Sequence, residues 1–156
     1  MKNFVLAIAA SFIFILSANA QEISKNALGL RLGDNDGFGG EVSYQRYLSE
    51  NNRLEFDLGW RDSKNYDAFK LVGLYQWVMP IDTNFNWYVG AGGGVGSFDA
   101  GDVDGTFALV AGDIGIEYNF DFPLLLSLDF RPELGFNDDY SDDVDFDIAL
   151  GIRYQF

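Results

Sequence analysis

Apolar and polar residues alternate along most of the chain, with a period of two that begins near Asn26 and continues to Phe156. This period puts alternate side chains on opposite faces of a β-strand, and no long stretch keeps the period of a helix. Stretches rich in Asp, Asn, Gly and Ser, which favour turns, separate the alternating segments. Eight strands are predicted: Asn26–Gly33, Gly37–Leu48, Arg53–Trp60, Ala68–Val78, Phe85–Phe98, Thr106–Phe120, Leu124–Phe136 and Asp145–Phe156.

The two faces of these strands decide between two architectures. In the last strand Ile148 and Ile152 share an apolar face, while Asp147 lies on the opposite, polar one. A soluble two-sheet sandwich would bury the apolar faces. A membrane barrel would turn them to lipid, and several are as long as the ~9–11 residues that a tilted strand needs to cross a bilayer. Because hydrocarbon forbids an open sheet edge, the strands would then have to close on themselves.

The favoured fold class is therefore all-β, an eight-stranded antiparallel up-and-down transmembrane β-barrel. One strand remains ambiguous. Ala68–Val78 is apolar on both faces in places, so the pattern leaves its register open.

Aromatic residues support the membrane interpretation. In an up-and-down barrel the even-numbered strands all end at the same side, and aromatic residues mark a membrane–water interface. The even-numbered strands of this chain end in aromatic residues, and the fifth strand begins with one at the same level. The predicted aromatic girdle comprises Tyr44, Tyr47, Tyr75, Trp77, Trp87, Tyr118 and Phe120.

Residues 1–20 have the features of a secretory signal peptide. Lys2 gives a positive start, Phe4–Leu16 is an uncharged apolar run, and Ala18-Asn19-Ala20 is a cleavage site of the A-x-A type. The apolar run is shorter than the ~20 residues of a transmembrane helix. The predicted organisation is a signal peptide at 1–20, which is removed on export, followed by a barrel domain at 21–156.

Composition excludes several classes of function. The chain has 10 Lys and Arg against 24 Asp and Glu, a formal net charge of -14, which disfavours binding to nucleic-acid phosphates. It contains no Cys and no His, so disulfides, Cys or His metal sites and catalysis by an imidazole or a thiol are excluded. We expect no enzymatic activity, no catalytic residue, no cofactor and no nucleic-acid partner.

Charged residues on the polar faces would meet inside the barrel. An eight-stranded barrel has an interior just wide enough for side chains to fill, which favours a structural network of ion pairs. A selective pore or a proton-handling carboxylate pair is the alternative. The predicted lumen charges are Arg31, Glu41, Arg53, Glu55, Asp57, Arg61, Asp113, Glu117, Asp129, Arg131, Glu133, Asp147 and Arg153.

The turns opposite the aromatic girdle are acidic. Carboxylate oxygens are ligands that Ca²⁺ prefers, so this rim could bind Ca²⁺ weakly. Asp102-Val103-Asp104-Gly105 matches only part of the spacing of a calcium loop, and a solvated anionic surface is the simpler interpretation. The rim residues are Asp34, Asp36, Asp62, Asp67, Asp99, Asp102, Asp104, Asp138, Asp139, Asp142 and Asp143.

The chain also resembles the small outer-membrane β-barrels of the OmpA and OmpX type from Gram-negative bacteria. The signal peptide, the alternation over Asn26–Phe156, the glycine-rich strand segment Trp87–Gly96 and the terminal strand end Arg153–Phe156 carry the resemblance. In that family a C-terminal Phe with aromatic or apolar residues at alternate preceding positions is recognised by the barrel-assembly machinery. The residues matching this signal are Leu150, Ile152, Tyr154 and Phe156.

The resemblance implies a non-enzymatic integral protein of the cell outer membrane, in contact with its lipid and expected to be a monomer. Its role would lie in envelope structure or surface interaction. Two other functions remain open. One is a narrow passive channel for ions or small solutes; the other is a soluble lipocalin-like carrier, which would have an apolar lumen and a polar exterior.

Overall fold

A computed structural model describes residues 24–33, 39–136 and 144–156 of the chain. The signal peptide predicted at 1–20 lies outside the described residues, as do the rim residues Asp34, Asp36, Asp138, Asp139, Asp142 and Asp143. The strands are β1 (Asn26–Leu32), β2 (Gly40–Tyr47), β3 (Asn52–Ser63), β4 (Tyr66–Pro80), β5 (Phe85–Asp99), β6 (Asp104–Asn119), β7 (Leu124–Gly135) and β8 (Val144–Gln155).

The eight strands form one closed barrel in the order β1 to β8. Each strand pairs antiparallel with its neighbours in sequence, and β8 returns to pair with β1. The predicted eight-stranded antiparallel up-and-down barrel is confirmed. In the described ranges no helix has the length and apolar character needed to cross a membrane.

The observed strands run beyond the predicted ones on the β3–β4 hairpin. The prediction for these strands, Arg53–Trp60 and Ala68–Val78, stopped where the apolar alternation fades. Pairing nevertheless continues to Ser63↔Tyr66, because backbone hydrogen bonds do not require an apolar face. These strands therefore project past the apolar belt into the polar region, at the end of the barrel that carries the β3–β4 and β5–β6 turns. We call this end the hairpin end.

The polarity of the barrel is the reverse of that of a soluble protein. Leu128 and Ile148 point outward and are 49% and 66% exposed, whereas Asp129 and Arg153 point inward and are 3% and 0% exposed. A sandwich or a lipocalin-like carrier would bury the apolar residues instead. Both alternatives are therefore inconsistent with the structure.

The register of β4 is fixed by its two neighbours. Gly73 lies opposite Phe56 of β3 and Gly93 of β5, which turns Val72 and Leu74 inward. These residues join an apolar cluster inside the barrel on β4, β5 and β6. The buried members of that cluster are Ala68, Val72, Leu74, Phe98, Phe107, Leu109 and Ala111.

Glycines on β5 make room for this cluster. A Cβ on Gly96 would collide with the ring of Phe107, a member of the cluster, and one on Gly92 would collide with the backbone carbonyl of Gly73 on the adjacent strand. Both approaches are closer than any side chain tolerates. Because the glycines of β5 have no side chains, larger residues of the adjacent strands can pack against this segment.

Candidate functional site: the ion-pair network of the lumen

The charged part of the lumen is organised around two arginines from opposite ends of the sequence. Arg31 of β1 donates from Nε to Asp129 Oδ1 at 3.0 Å and from Nη1 to Glu41 Oε2 at 3.2 Å, and it also pairs with Asp147. One guanidinium group therefore joins carboxylates from β2, β7 and β8. Its planar fork of donors suits it to hold several carboxylates at once.

Arg131 of β7 forms the second centre. Its Nη1 donates to Asp57 Oδ2 at 2.9 Å, its Nη2 donates to Glu41 Oε1 at 2.6 Å, and its Nε lies 2.8 Å from Glu133 Oε1. Glu41 receives one bond from each arginine, so it links Arg131 to Arg31. The two centres therefore form one network.

Lys70 of β4 extends the network across the barrel, although it was not among the predicted lumen charges. Its Nζ donates to Glu133 Oε2 at 3.0 Å, and its side chain is buried. The strand that carries it is apolar on both faces in places, so its inward position follows only from the register with β3 and β5. The one feature of the sequence that could have indicated an inward Lys70 is that it is a basic residue within an otherwise apolar strand.

Arg153 of β8 occupies a separate layer with hydroxyl partners. It donates from Nε to Ser43 Oγ at 2.9 Å, from Nη1 to Ser127 Oγ at 2.8 Å and from Nη2 to Glu55 Oε2 at 3.3 Å. Glu55 also accepts a hydrogen bond from Gln45. The layer thus ties β8 to β2, β3 and β7.

The layer nearest the start of β1 and the end of β8 is centred on Arg53. Its Nη1 donates to Glu117 Oε2 at 2.6 Å, and its guanidinium carbon lies 5.6 Å from the ring centroid of Tyr47 and 4.7 Å from that of Tyr88. The cation is therefore held between two aromatic rings and one carboxylate, an arrangement favourable to a desolvated guanidinium. Tyr88 was not predicted as a lumen residue.

Two predicted lumen residues differ from the rest. Asp113 is buried and accepts a hydrogen bond from Gln76, and no Lys or Arg of the described chain lies within ion-pair distance of it. Arg61 is only half-buried, with its guanidinium carbon 5.0 Å from the ring centroid of Tyr66 near the hairpin end. The other predicted lumen charges are all buried.

A cavity opens at the mouth where β1 begins and β8 ends. It has a volume of about 860 Å³, and its lining includes Tyr47, whose hydroxyl accepts a hydrogen bond from Arg53. Its walls carry Lys25 and Glu50 as well as uncharged polar side chains, among them Asn51, Asn119 and Gln155. We call this cavity the terminal mouth.

The structure gives no direct support for a metal centre. Within residues 24–33, 39–136 and 144–156 no group of three carboxylates is arranged to hold a metal ion. Part of the acidic rim lies outside these ranges, so weak Ca²⁺ binding there stays a prediction.

Known structures share this architecture at low sequence identity. The N-terminal β-barrel domain of OprF from Pseudomonas aeruginosa is 13% identical with a TM-score of 0.68, covering 85% of this chain and 98% of that one. Neisserial surface protein A is 13% identical with a TM-score of 0.61, covering 84% and 94%. Ail, the attachment invasion locus protein of Yersinia pestis, is 16% identical with a TM-score of 0.58, covering 85% and 97%. The chain has the fold of an outer-membrane β-barrel. No family model and no curated protein matches it in sequence.

In this outer-membrane barrel fold, six of the seven predicted girdle residues point outward. Tyr75 and Trp77 pack edge to face with ring centroids 4.9 Å apart, and Tyr118 and Phe120 do so at 4.8 Å. Two aromatic residues that were not predicted extend the second pair, with ring centroids 5.5 Å apart for Phe85 and Tyr118 and 5.2 Å apart for Phe120 and Phe122. The outward residues are Tyr44, Tyr75, Trp77, Trp87, Tyr118 and Phe120.

Tyr47 was wrongly assigned to the girdle. It points into the lumen, where its hydroxyl accepts a hydrogen bond from Arg53 Nη1 at 3.3 Å. Tyr44 and Tyr47 are three residues apart on one strand, so they lie on opposite faces. The same alternation that predicted the strand therefore already implied that Tyr47 faces inward when Tyr44 faces outward.

The C-terminal residues close the outer-membrane barrel. Leu150 and Ile152 are exposed on its outer face, and the rings of Tyr154 and Phe156 stack with centroids 6.4 Å apart. The backbone of Phe156 exchanges two hydrogen bonds with Asn26, at 3.1 and 2.9 Å. The residues of the predicted assembly signal therefore lie at a paired strand end of the closed barrel, with Leu150 and Ile152 on its outer face.

Proposed function

We propose that this chain is a monomeric, non-enzymatic integral protein of the outer membrane, and that its lumen is closed to solutes. Its role would lie in envelope structure or in interactions at the cell surface. The observation that carries the proposal is the buried ion-pair network across the bore.

The network is a barrier because its bonds cross the lumen rather than only joining adjacent strands. Arg131 to Asp57 joins β7 to β3, and Lys70 to Glu133 joins β4 to β7. A permeating ion would have to break several charge-assisted hydrogen bonds between groups that are almost fully desolvated. The apolar cluster on β4, β5 and β6 occupies a further part of the interior.

Planar-bilayer recording of the refolded protein tests whether the lumen conducts. We expect no stable single-channel conductance from the unmodified chain. Steady openings would instead support the alternative of a narrow passive channel. The double variant with Lys70→Ala and Arg131→Ala serves as the positive control, because it removes both cations that hold Glu133 and should produce detectable leak.

Gel mobility of unheated and boiled samples shows whether the barrel is folded in each recording. A closed barrel resists detergent until boiled and then migrates differently. A protein released from membranes by carbonate would contradict the proposal of an integral protein.

A closed lumen places the functional surface on the barrel wall and the hairpin rim. The described hairpins are short, since β3 and β4 are separated by only residues 64–65 and β5 and β6 by residues 100–103. They offer little area for a large partner. The rim is also acidic, so partners that are themselves polyanions are disfavoured.

The charge of this rim distinguishes this protein from one structural neighbour, Ail. Ail was also solved in complex with the heparin analogue sucrose octasulfate, at 15% identity and a TM-score of 0.55 to this chain. The residues Asp62, Asp67, Asp99 and Asp104 near the hairpin end are exposed and anionic. We expect no binding of a sulfated sugar here, which a direct titration would check.

A further inference from the structure

A single cation lies on the outer wall of the barrel near the terminal mouth. Arg46 of β2 is exposed while Gln45 beside it in sequence is buried, so the alternation of the strand turns Arg46 outward. Among the outward-facing positions of the eight described strands, it is the only Lys or Arg. The outward-facing carboxylates lie at the hairpin end, where Arg61 borders the same depression; they are Asp62, Asp67, Asp99 and Asp104.

Arg46 has no ionic partner among the residues that the structure describes. The carboxylate nearest to it in sequence is Glu50, in the β2–β3 turn, and no ion pair joins the two. Lys25 is also exposed and lies next to this strand end, since its carbonyl oxygen accepts a hydrogen bond from the backbone of Tyr47 at 2.7 Å. This end of β2 therefore has two cations and one carboxylate on a chain that is strongly acidic as a whole.

Asn26 and Tyr44 complete a polar cluster around Arg46. Asn26 of β1 lies directly opposite Arg46. The hydroxyl of Tyr44 donates to Asn26 Oδ1 at 2.7 Å, and Asn26 Nδ2 donates to the carbonyl oxygen of Phe156 at 3.4 Å. These two bonds fix the amide and leave its second N–H hydrogen without an acceptor among the described residues. A guanidinium group and an amide N–H are donors that bind phosphate oxygens.

From this cluster toward the hairpin end, the outer face of β2 carries small residues. Val42 lies between Leu30 of β1 and Leu58 of β3, and Gly40 lies opposite Leu32. Leu30 and Leu32 project from the wall and are exposed by 50% and 44%. The outer face of β2 is therefore lower than its neighbours and forms a shallow apolar channel with Val42 and Gly40 as its floor. We call this feature the β2 channel.

We propose that Arg46 and the β2 channel bind one phospholipid with an anionic headgroup, of the phosphatidylglycerol type, in the periplasmic leaflet of the outer membrane. The inference rests on the proposed function, with the terminal mouth facing the periplasm. The guanidinium of Arg46 would contact the lipid phosphate, and one acyl chain would lie on Val42 between Leu30 and Leu58.

The length of the channel matches one leaflet of a bilayer. From Gly40 to Arg46 the strand spans roughly 20 Å, at ~3.3 Å per residue. Because barrel strands are tilted by about 40°, this distance is roughly 15 Å along the membrane normal. That is half of the ~30 Å hydrocarbon core. A lipid of this leaflet therefore has its phosphate at the level of Arg46 and its acyl chain along the channel.

The surroundings of Arg46 favour a lipid over a soluble partner. Tyr44 precedes it on the same face of β2, and Tyr75 of β4 lies opposite Leu54, which pairs with Arg46. Tyr44 and Tyr75 belong to the aromatic girdle, which marks the membrane–water interface where lipid phosphates lie. Charge then selects the headgroup. The ammonium group of phosphatidylethanolamine would meet two like charges, those of Arg46 and Lys25, whereas phosphatidylglycerol carries no cation.

Native mass spectrometry of the full barrel tests the proposal, after extraction from bilayers of equal phosphatidylglycerol and phosphatidylethanolamine with matched acyl chains. We expect phosphatidylglycerol to be retained preferentially. Arg46→Gln should lower the ratio of retained phosphatidylglycerol to phosphatidylethanolamine by about fivefold, since one basic residue near an anionic membrane surface changes affinity by roughly that factor. Arg46→Lys keeps the charge and should keep most of the preference. Val42→Phe fills the channel and should lower the retention of phosphatidylglycerol without altering charge.

Lys64→Gln is the matched control, because it removes an exposed cation in the β3–β4 turn at the hairpin end. Its lipid ratio should equal that of the unmodified barrel. Equal retention of the two lipids by the unmodified barrel, or equal ratios for Arg46→Gln and Lys64→Gln, would overturn the proposal. Release of phosphatidylglycerol by excess glycerol phosphate would also overturn it, since the site would then take a free phosphate group. Release by a chelator would do the same, since the lipid would then be held through Ca²⁺ at the acidic rim.

Failure of the inference can be distinguished from failure of the proposed function. If unheated and boiled samples migrate differently and the protein resists carbonate, the barrel is inserted, and only the lipid preference is in question. If the protein does not insert, the proposed function itself is wrong.

Discussion

The ring of Tyr88 lies against Gly115, so closely that a Cβ on the glycine would come within 2.5 Å of the Tyr88 hydroxyl oxygen. The two residues face each other across β5 and β6. We predict that Gly115→Ala lowers the free energy of unfolding by about 1–3 kcal/mol, the usual cost of overpacking a tight interior.

Urea unfolding in detergent micelles, followed by Trp fluorescence, measures this effect. Gly112→Ala is the matched control on the same strand, because its Cβ would lie 3.4 Å from Pro132 Cγ. A smaller change is expected there, and equal losses for both variants would contradict the packing argument.

The hydroxyl group of Tyr88 gives a second prediction. It is buried and has no hydrogen-bond partner among the described residues. Removing an unsatisfied buried hydroxyl relieves a desolvation penalty of roughly 1–3 kcal/mol, so Tyr88→Phe should retain or increase stability. A clear loss in the same urea experiment would show that the hydroxyl is bonded, for example to an ordered water.

The ion-pair network predicts unequal effects for two basic residues. Arg131→Ala leaves Asp57 and Glu41 buried without this cation, and we expect it to lower the free energy of unfolding by about 3–5 kcal/mol. Lys64→Ala removes an exposed charge in the β3–β4 turn and should change stability little. Equal shifts in the unfolding midpoint would contradict a structural role for the network.

The last strand predicts an effect on assembly. If Phe156 and its alternate neighbours act as the recognition signal, Phe156→Ala should reduce the fraction of protein that reaches the outer membrane in folded form. Phe122→Ala removes an exposed aromatic side chain at the same mouth but outside the last strand, and it should not. The heat-dependent gel shift of isolated membranes measures both. Equal assembly of the two variants would count against the signal.

Much of the architecture could be predicted because the bilayer constrains every strand in the same way. Alternation was sufficient to assign Leu128 outward and Asp129 inward, and closure followed from the need to bond every edge in hydrocarbon. The contacts between lumen residues were less predictable. Alternation with a period of two shows which face of the strand a residue occupies. It does not show that Lys70 reaches Glu133 across the bore.

The apolar half of the lumen shows the limit most clearly. Val72 and Leu74 point inward, although an apolar residue in a membrane barrel is expected to face lipid. Their neighbours on the outer face are apolar as well, so hydropathy could not separate the two. Only the pairing of Gly73 with Phe56 and Gly93 resolves the register.

The backbone bonds between Asn26 and Phe156 span 130 positions of sequence. They complete the ring together with the β1–β8 ladder, which runs from Ala27↔Gln155 to Leu32↔Leu150. Until this ladder forms, both β1 and β8 expose a row of unpaired amide and carbonyl groups. Such a row cannot be tolerated in hydrocarbon, so a partly made barrel has no stable resting state within the bilayer. Insertion and closure should therefore occur as a single cooperative event that waits for the final strand to be delivered.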